Sequence, residues 1–427
     1  MLNESVDTVI VGGGQAGIAM SEHLTHYGIE HVILERNRIA ERWRSERWDT
    51  LVANGPAWHD RFPTLAFNSD PNGFPNKQEI ADYFERYAQH IKAPVRCNVN
   101  VENVRRIPGQ AKFEITTNEG VLESKNLVAA TGPFQTPVIP KLFPDSLPEL
   151  PELKQLHSRD YKNPEQLPNG AVLVIGAGSS GTQIADELNQ SGRTVFLSVG
   201  AHDRPPRSYR GRDFVWWLGV LGKWDAATVD PGTAHVTIAV SGARGGATVD
   251  FRRLAHEGIT LTGMSTSYER GVLSFASDLA QNIQNGDKNY LSLLDEADAY
   301  VERLGLTLPE EPDARNFPSE PTCLLNPLQE LDLLEHNVSS IIWATGYKGD
   351  YDWLNLDVFE EDGRPKHQRG VTAEPGFYFL GLPWQSRRGS AFIWGVWHDA
   401  KHLADQINIQ HQYSAYHNAM NASKSQS

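Results

Sequence analysis

Two glycine-rich turns with the spacing G-x-G-x-x-G are the residues of this chain that most clearly indicate chemistry. The first is Gly12-Gly13-Gly14-Gln15-Ala16-Gly17, and the second is Gly176-Ala177-Gly178-Ser179-Ser180-Gly181. In such a turn the first glycine bends the chain, the second lets a pyrophosphate approach the backbone, and the third lets a helix pack on a strand. The helix N-terminus adds partial positive charge beside the phosphates. The chain is therefore predicted to bind two dinucleotides.

An acidic residue follows the first turn at the position where a ribose-binding carboxylate belongs. Glu35 lies eighteen residues past Gly17, at the end of the apolar run 31–34, and Arg36 comes next. Strand, glycine turn, helix and strand within about 30 residues make up a βαβ unit. We expect this unit to bind FAD, with Gly12, Gly14, Gln15, Ala16, Gly17, Glu35 and Arg36 as cofactor-binding residues.

The second turn has no carboxylate at the equivalent position, because Val199 stands eighteen residues past Gly181. Arg204 and Arg207 follow within a few residues. A missing acid with guanidinium groups nearby suits a 2′-phosphate, which predicts NADPH rather than NADH. Two alternatives remain open here: the arginines belong to a solvated loop, or Asp203 contacts a ribose. The cofactor residues expected in this unit are Gly176, Gly178, Ser179, Ser180, Gly181, Arg204 and Arg207.

The elements that position these turns suggest one domain inserted in another. Proline-rich stretches at 133–168 and 309–327 flank the second unit, and a strand followed by Thr-Gly stands at each crossing, at Thr131-Gly132 and Thr345-Gly346. The fold class predicted is α/β, with two doubly wound Rossmann-like dinucleotide-binding domains, the second inserted in the first. The predicted boundaries are 1–165 and 326–427 for the FAD-binding domain, which ends in a C-terminal helix, and 166–325 for the NADPH-binding domain.

Composition excludes several classes of function. The 427 residues hold 39 Lys and Arg against 53 Asp and Glu, a net charge of −14, which argues against a nucleic-acid partner. Two cysteines, Cys97 and Cys323, leave no C-x-x-C dithiol and no cysteine-rich metal site. No apolar run approaches the ~20 residues of a membrane span, and no secretory signal is visible. We expect a cytoplasmic protein without a membrane span.

The sequence resembles the class B flavin-dependent monooxygenases. Residues 157–162 are similar to the end of that family's fingerprint, with Tyr161 as its terminal aromatic residue, as in nitrogen- and sulfur-oxygenating members. Within the family the chain resembles a bacterial subgroup often labelled as associated with cation or metal transport, and in outline the plant auxin-forming flavin monooxygenases. The marks of this subgroup are Arg42-Trp43-Arg44 with Arg47-Trp48-Asp49, Asp70-Pro71-Asn72-Gly73-Phe74, Arg210-Gly211-Arg212-Asp213-Phe214-Val215-Trp216-Trp217 and Gly381-Leu382-Pro383-Trp384.

The resemblance implies a reaction cycle and its residues. NADPH reduces FAD, the reduced flavin takes O₂, and a C4a-hydroperoxyflavin transfers one oxygen atom to a small nitrogen-, sulfur- or carbonyl-containing substrate. Trp43, Thr131-Gly132 and Thr345-Gly346 are placed among the cofactor-binding residues. Asn54 and Trp58 follow the first unit where the family has residues over the flavin, and they are the candidate catalytic residues. The alternative for both is loop packing. The resemblance also suggests a possible homodimer.

Two other functions fit the same residues. One is an NADPH oxidase or flavin reductase without an organic substrate, and the other is a flavin-binding redox regulator of a transporter. His398 and His402 have the spacing of two metal ligands on a helix, but no third ligand accompanies them. The sequence therefore predicts no metal site.

Overall fold

The structure is a computed structural model, and it describes residues 2–144, 147, 150–227 and 237–425. Parts of all three predicted domain segments lie outside the described residues: residue 1, 145–146, 148–149, 228–236 and 426–427. Both strands and helices occur throughout the described chain, which confirms the α/β class. The strands are, in chain order, β1 (Leu2–Val11), β2 (His31–Glu35), β3 (Val95–Cys97), β4 (Val101–Arg106), β5 (Phe113–Thr117), β6 (Gly120–Ala129), β7 (Thr136–Pro137), β8 (Lys154–His157), β9 (Ala171–Ile175), β10 (Val195–Ser198), β11 (His202–Asp203), β12 (Ser208–Tyr209), β13 (Arg212–Asp213), β14 (Thr237–Ile238), β15 (Thr260–Thr262), β16 (Ser265–Glu269), β17 (Val272–Phe275), β18 (Glu330–Asp332), β19 (Val338–Trp343), β20 (Tyr347–Lys348), β21 (Leu354–Asn355) and β22 (Phe377–Phe379).

The helices lie between these strands and at the C-terminus. They are α1 (Gln15–His26), α2 (Glu41–Ser45), α3 (Lys77–His90), α4 (Ser179–Gln190), α5 (Phe214–Val220), α6 (Ala243–Gly246), α7 (Phe251–His256), α8 (Leu279–Leu304), α9 (Thr322–Leu325) and α10 (Ile393–Ser425), with 3₁₀ turns at Pro164–Gln166, Lys223–Asp225, Pro312–Arg315 and Arg388–Ala391. Local sequence sets several starts. Asn76 and Glu79 form a capping box that begins α3, and the Asp213 side chain accepts from the Val215 N–H at the start of α5.

Eight strands form the first sheet, in the order β21-β4-β5-β6-β1-β2-β3, with β22 also paired to β6. Its centre is parallel, since β1 pairs in parallel with both β2 and β6. Val9 and Ile10 of β1 are fully buried, on opposite faces of the sheet. This burial on both faces explains why the last three residues of β1, at 9–11, are all apolar rather than alternating. The strand leads directly into the first glycine turn.

Five parallel strands form the second sheet, in the order β15-β10-β9-β19-β8. Two of them, β8 and β19, lie outside the predicted boundaries of 166–325. β8 lies within the proline-rich stretch 133–168, but it falls between Pro151 and Pro164 and keeps every backbone N–H that pairing needs. β19 was expected to return to the first domain, but it pairs with β9 instead.

Candidate functional site

The first glycine turn has a backbone that other residues would disrupt at two positions. Gly12 has φ +115°, and a Cβ there would lie 2.5 Å from the Ala130 carbonyl oxygen. A Cβ on Gly17 would lie 2.0 Å from the Gly12 carbonyl oxygen. Both contacts involve backbone atoms, so no side-chain movement relieves them. The turn therefore brings β1, the start of α1 and the end of β6 together in one compact crossing.

Gly14 differs from its neighbours because the space beside it is open. No heavy atom lies within 4 Å of the position that a Cβ would take. Gly14 is also the N-cap of α1, and no side chain forms a capping hydrogen bond there. The first N–H groups of the helix can therefore donate to another acceptor. An open approach to unpaired donors at a helix N-terminus is the arrangement that a pyrophosphate requires.

A cleft opens over this turn and brings together residues from six stretches of the chain: 11–16, 34–47, 99–101, 130–135, 350–353 and 381. Among the predicted cofactor residues, its wall holds Gly12, Gly14, Gln15, Ala16, Glu35, Arg36, Trp43, Thr131 and Gly132. Glu35 sits at its edge, where one carboxylate oxygen accepts from the Gly13 N–H at 2.7 Å and the other from the Asn37 N–H at 2.8 Å. These bonds orient the carboxylate and leave each oxygen able to accept from a ribose hydroxyl as well.

Two arginines of the cleft wall, Arg42 and Arg47, are residues that the sequence did not predict as ligands. The Arg47 guanidinium lies 5.5 Å from the Trp43 ring and 5.4 Å from the Phe134 ring. Burial lowers the pKa of Arg47, and in the described part of the chain it forms no salt bridge with a carboxylate. A partly buried cation without an anion beside it favours an anionic ligand in the cleft. In the sequence, the positive charge of the subgroup motif that contains both arginines was the signal that could have indicated them.

The N-terminus of α10 lies beside that of α1. The Gln15 side-chain amide donates to the Ala391 carbonyl at 2.8 Å, just before α10 begins. Further along, the ring of His23 packs 4.4 Å from the ring of Trp397, and burial lowers the pKa of His23 to about 4. His23 is therefore neutral at physiological pH, as an apolar helix interface requires. Two helix N-termini thus converge beside the cleft.

The two candidate catalytic residues, Asn54 and Trp58, lie on the segment between α2 and α3. The Asn54 side-chain oxygen accepts from the Gln183 amide at 2.9 Å, and its backbone carbonyl accepts from Arg207 at 2.6 Å. Asn54 is therefore held by the second unit. The Trp58 side chain is 37% exposed, and its ring packs edge-on against His59.

His59 and Asp60 form a pair that the sequence did not single out. The His59 Nδ1 lies 2.7 Å from Asp60 Oδ1, while the other oxygen of Asp60 accepts from the Gly55 N–H at 3.1 Å. The imidazole packs against Trp224 and Trp394, with ring centres 5.7 Å and 5.1 Å away. No hydrogen-bond partner of Nε2 occurs among the described residues. A lone histidine carries no sequence pattern, and only the tertiary structure places it among these rings.

The second turn repeats the backbone of the first. Gly176 has φ +103°, and a Cβ there would lie 2.5 Å from the Ala344 carbonyl oxygen. A Cβ on Gly181 would lie 1.8 Å from the Gly176 carbonyl oxygen. Thr345 and Gly346 follow β19 in the second sheet, and the Gly346 carbonyl accepts from His157 at 3.0 Å. Thr131-Gly132 thus follow a strand of the first sheet, whereas Thr345-Gly346 follow a strand of the second.

Arg204 and Arg207, which the sequence predicts as ligands of a 2′-phosphate, are both buried beside carboxylates in the structure. Arg204 is only 1% exposed, and its Nη2 donates to Asp287 on α8 at 2.6 Å. Arg207 is 7% exposed, and its Nε donates to Asp213 at 3.1 Å. Asp287 comes from a distant segment and Asp213 from six residues further along the chain, and these carboxylates neutralise the two guanidiniums in the interior.

Known proteins share this arrangement. A family model described as pyridine nucleotide-disulphide oxidoreductase matches residues 9–210. An uncharacterized CzcO-like oxidoreductase of Geobacillus kaustophilus is 35% identical over 405 residues, which cover 94% of this chain and 98% of the relative. A probable indole-3-pyruvate monooxygenase of Arabidopsis thaliana is 27% identical over 94% of this chain and 89% of that one. The chain belongs to the class B flavin-dependent monooxygenases.

Membership of this family confirms the resemblance and the enzyme class predicted from the sequence. The fold agrees with a flavin-containing monooxygenase from Stenotrophomonas maltophilia, with a TM-score of 0.64 at 18% identity over 96% of this chain and 99% of that one. Flavin and nicotinamide nucleotides are the cofactors of the family, and O₂ and a small molecule are its substrates. Both cysteines of the chain are free thiols, so the disulphide chemistry in the name of the family model does not extend to a dithiol here.

Metal and membrane features were also sought in the described residues. None of the His, Cys, Asp and Glu side chains there form a group of three or more that could hold a metal ion. No described helix is long and apolar enough to cross a membrane.

Proposed function

We propose that this chain is an NADPH- and FAD-dependent monooxygenase that transfers one atom of O₂ to a small nitrogen-, sulfur- or carbonyl-containing substrate. The observation that carries the proposal is the open cradle beside Gly14, with the Glu35 carboxylate and the Arg47 cation in the same cleft. The Glu35 carboxylate matches a ribose, and the Gly14 cradle and the Arg47 cation match a pyrophosphate. In this proposal each sheet is a dinucleotide-binding domain, and the second is inserted in the first.

FAD is the cofactor that the cleft residues would hold, and when bound it supplies the oxygen-activating chemistry of the enzyme. The N–H groups of α1 and the Arg42 and Arg47 guanidiniums would bind its pyrophosphate, and Glu35 its ribose. Nearby, the N-terminus of α10 would stabilise negative charge that develops during the reaction. Trp58 and Trp224 would exclude water from the reacting atoms.

NADPH is proposed as the hydride-donating substrate of the second unit. Support comes from Val199, which is fully buried at the position where a ribose-binding carboxylate would discriminate against a 2′-phosphate. Arg204 and Arg207 take no part in this proposal, because both are buried in internal ion pairs.

The reaction can be tested by reducing the purified protein with NADPH, and separately with NADH, without oxygen, and then mixing it with oxygenated buffer in a stopped-flow spectrometer. We expect faster reduction by NADPH, followed by a long-lived absorbance that differs from both oxidised and reduced flavin. Immediate return to oxidised flavin with one hydrogen peroxide per flavin would support the oxidase or reductase alternative. Absence of reduction by either nucleotide would contradict the proposal and favour a redox regulator.

A second prediction concerns His59, whose Asp60 partner orients its ring as carboxylates orient catalytic histidines. We propose that Nε2 accepts a proton during the oxidative half of the reaction. Replacing His59 by glutamine should slow flavin reoxidation by about tenfold to a hundredfold and leave reduction by NADPH unchanged. Single-turnover measurements of each half separate the two effects.

The matched control for this variant is His256→Gln, because His256 lies on α7 and contacts only the exposed Ser319 region. It should change neither half of the reaction. Equal slowing of both halves in His59→Gln would mean that the imidazole is a packing element of the tryptophan cluster, which would contradict the proton-accepting role.

A further inference from the structure

Arg207 is a buried arginine whose guanidinium contacts two aromatic rings. Its Cζ lies 4.7 Å from the centre of the Phe74 ring and 4.6 Å from that of the Phe214 ring. Its Nε and Nη2 donate to the Asp213 carboxylate. Its Nη1 donates instead to the Asn54 backbone carbonyl, at 2.6 Å. The rings and the carboxylate therefore limit the movement of the guanidinium, while its remaining nitrogen binds Asn54.

These contacts join two subgroup motifs that the proposed function leaves without a role. The motif 70–74 supplies Phe74, and the motif 210–217 supplies the carboxylate and the second ring. The first motif also pairs with the chain just after Asn54, through two backbone hydrogen bonds of 2.8 and 2.9 Å. Both motifs therefore converge on Arg207 and on the backbone that it binds.

A second contact fixes the orientation of the Asn54 side-chain amide. The Gln183 side-chain nitrogen donates to the Val240 backbone carbonyl at 2.8 Å. A backbone carbonyl only accepts, so the atom of Gln183 at this position is the nitrogen rather than the oxygen. The same nitrogen lies 2.9 Å from the Asn54 side chain, whose atom there must be the oxygen. The Asn54 Nδ2 group then points away from Gln183, and none of the described residues accepts from it.

Asn54 stands between the second unit and the domain that carries the cleft. Gln183 belongs to α4 of the second unit. On the other side, the neighbouring Ala53 is buried in one core cluster with Ala16 and Ala40, which also line the cleft. A donor on Asn54 is therefore held from the second unit and lies beside the core that supports the proposed flavin site.

We infer that Arg207 and Gln183 are positioning residues that hold Asn54 with its Nδ2 group available to the flavin. The inference rests on the proposed function and takes Asn54 as the candidate catalytic residue. Arg207 fixes the backbone of Asn54, and Gln183 fixes its amide. A donor that is oriented in advance stabilises the negative charge that develops as O₂ is reduced, with no reorganisation at that moment.

The test compares Arg207→Lys, Asn54→Ala and the double variant after reduction with stoichiometric dithionite. Lysine keeps the charge beside Asp213, but its single nitrogen cannot reproduce contacts that the arginine makes with three. We expect reoxidation by O₂ to slow by about tenfold to a hundredfold in Asn54→Ala, and by roughly threefold to thirtyfold in Arg207→Lys. In the double variant, Arg207→Lys should add less than about twofold to the effect of Asn54→Ala.

The visible absorption spectrum of the oxidised flavin is a readout that needs no turnover. Asn54→Ala and Arg207→Lys should shift the flavin bands in the same direction, because both withdraw the same donor. Arg252→Lys is the matched control, since Arg252 is also a buried arginine and its hydrogen bonds go to Asp287 and Glu320. It should change neither the spectrum nor the rate of reoxidation.

Gln183→Met tests the same inference independently of how well Arg207→Lys folds. Methionine has a similar length and no N–H donor, so it releases the Asn54 amide without adding bulk. We expect slower reoxidation than in the wild type, and no further slowing when the change is added to Asn54→Ala.

The outcomes separate this inference from the proposed function. If Arg207→Lys and Gln183→Met slow reoxidation by the same factor with and without the Asn54 side chain, both residues act independently of it, and the inference is overturned. An unshifted flavin spectrum in Asn54→Ala would also overturn it. Because dithionite replaces NADPH here, a wild-type protein that NADPH fails to reduce would contradict the proposed function without deciding this test.

Discussion

Replacing Gly14 by alanine is expected to produce a folded protein that has lost its flavin. The substitution costs little in the protein itself, because Gly14 has φ −89° and no atom lies within 4 Å of the new Cβ. The new methyl group instead occupies the space through which a pyrophosphate reaches the N–H groups of α1. Loss of one or two charge-assisted hydrogen bonds predicts an affinity for FAD lower by about tenfold to several hundredfold.

The measurement is the ratio of flavin to protein absorbance after purification, followed by titration of the apoprotein with FAD. Gly219→Ala provides a matched control, since Gly219 lies in α5 and its nearest neighbour is 4.0 Å from the added Cβ. It should stay fully loaded. A yellow Gly14→Ala protein with one flavin per chain would contradict the assignment of the first turn as the FAD site.

Removing the Asp287 carboxylate is expected to lower the free energy of unfolding strongly. Asp287 is buried and accepts from Arg204 at 2.6 Å and from Arg252 at 2.8 Å. Asp287→Ala leaves two guanidiniums without this carboxylate in the interior. We expect the free energy of unfolding to fall by about 3 kcal/mol, the low end for a broken buried pair, because Asp250 remains 3.6 Å from Arg204.

Urea unfolding of the holoprotein, followed by tryptophan fluorescence, measures this change. The control is Asp295→Ala, which removes a partner of Arg315 from an exposed ion pair and should cost less than about 1 kcal/mol. If Asp287→Ala were instead stable but weakened NADPH binding, Arg204 would be a ligand of the 2′-phosphate after all. That result would restore the expectation drawn from the sequence.

Much of the first site follows from residues that are neighbours along the chain. The glycine turn, the helix that begins at Gln15 and the carboxylate of Glu35 form one βαβ unit, and the cleft in the structure collects them together. Such a unit has its own geometry because the turn brings strand and helix together within a few residues. The short spacing of these residues along the sequence is therefore enough to predict the βαβ unit and, with it, the α/β class.

The second site shows the limit of the same approach. Its glycine spacing is identical to that of the first, yet Thr237, about sixty residues further on, lies over Gly178 and nothing comparable lies over Gly14. The motif specifies the turn, but the neighbours of the turn come from whichever distant segment folds against it. No local pattern distinguishes the open copy from the occupied one.

The sequence by itself determined the two glycine turns, the acid that follows the first, the absence of an acid at the equivalent position after the second, and the α/β class. Only the tertiary structure decided that β8 and β19 complete the second sheet, that Asp287 neutralises Arg204, and that His59 stands among tryptophans. The physical reason is that turns and helix starts depend on backbone geometry over a few residues. Strand partners and buried ion pairs depend instead on the free energy of the whole fold, to which segments a hundred residues apart contribute together.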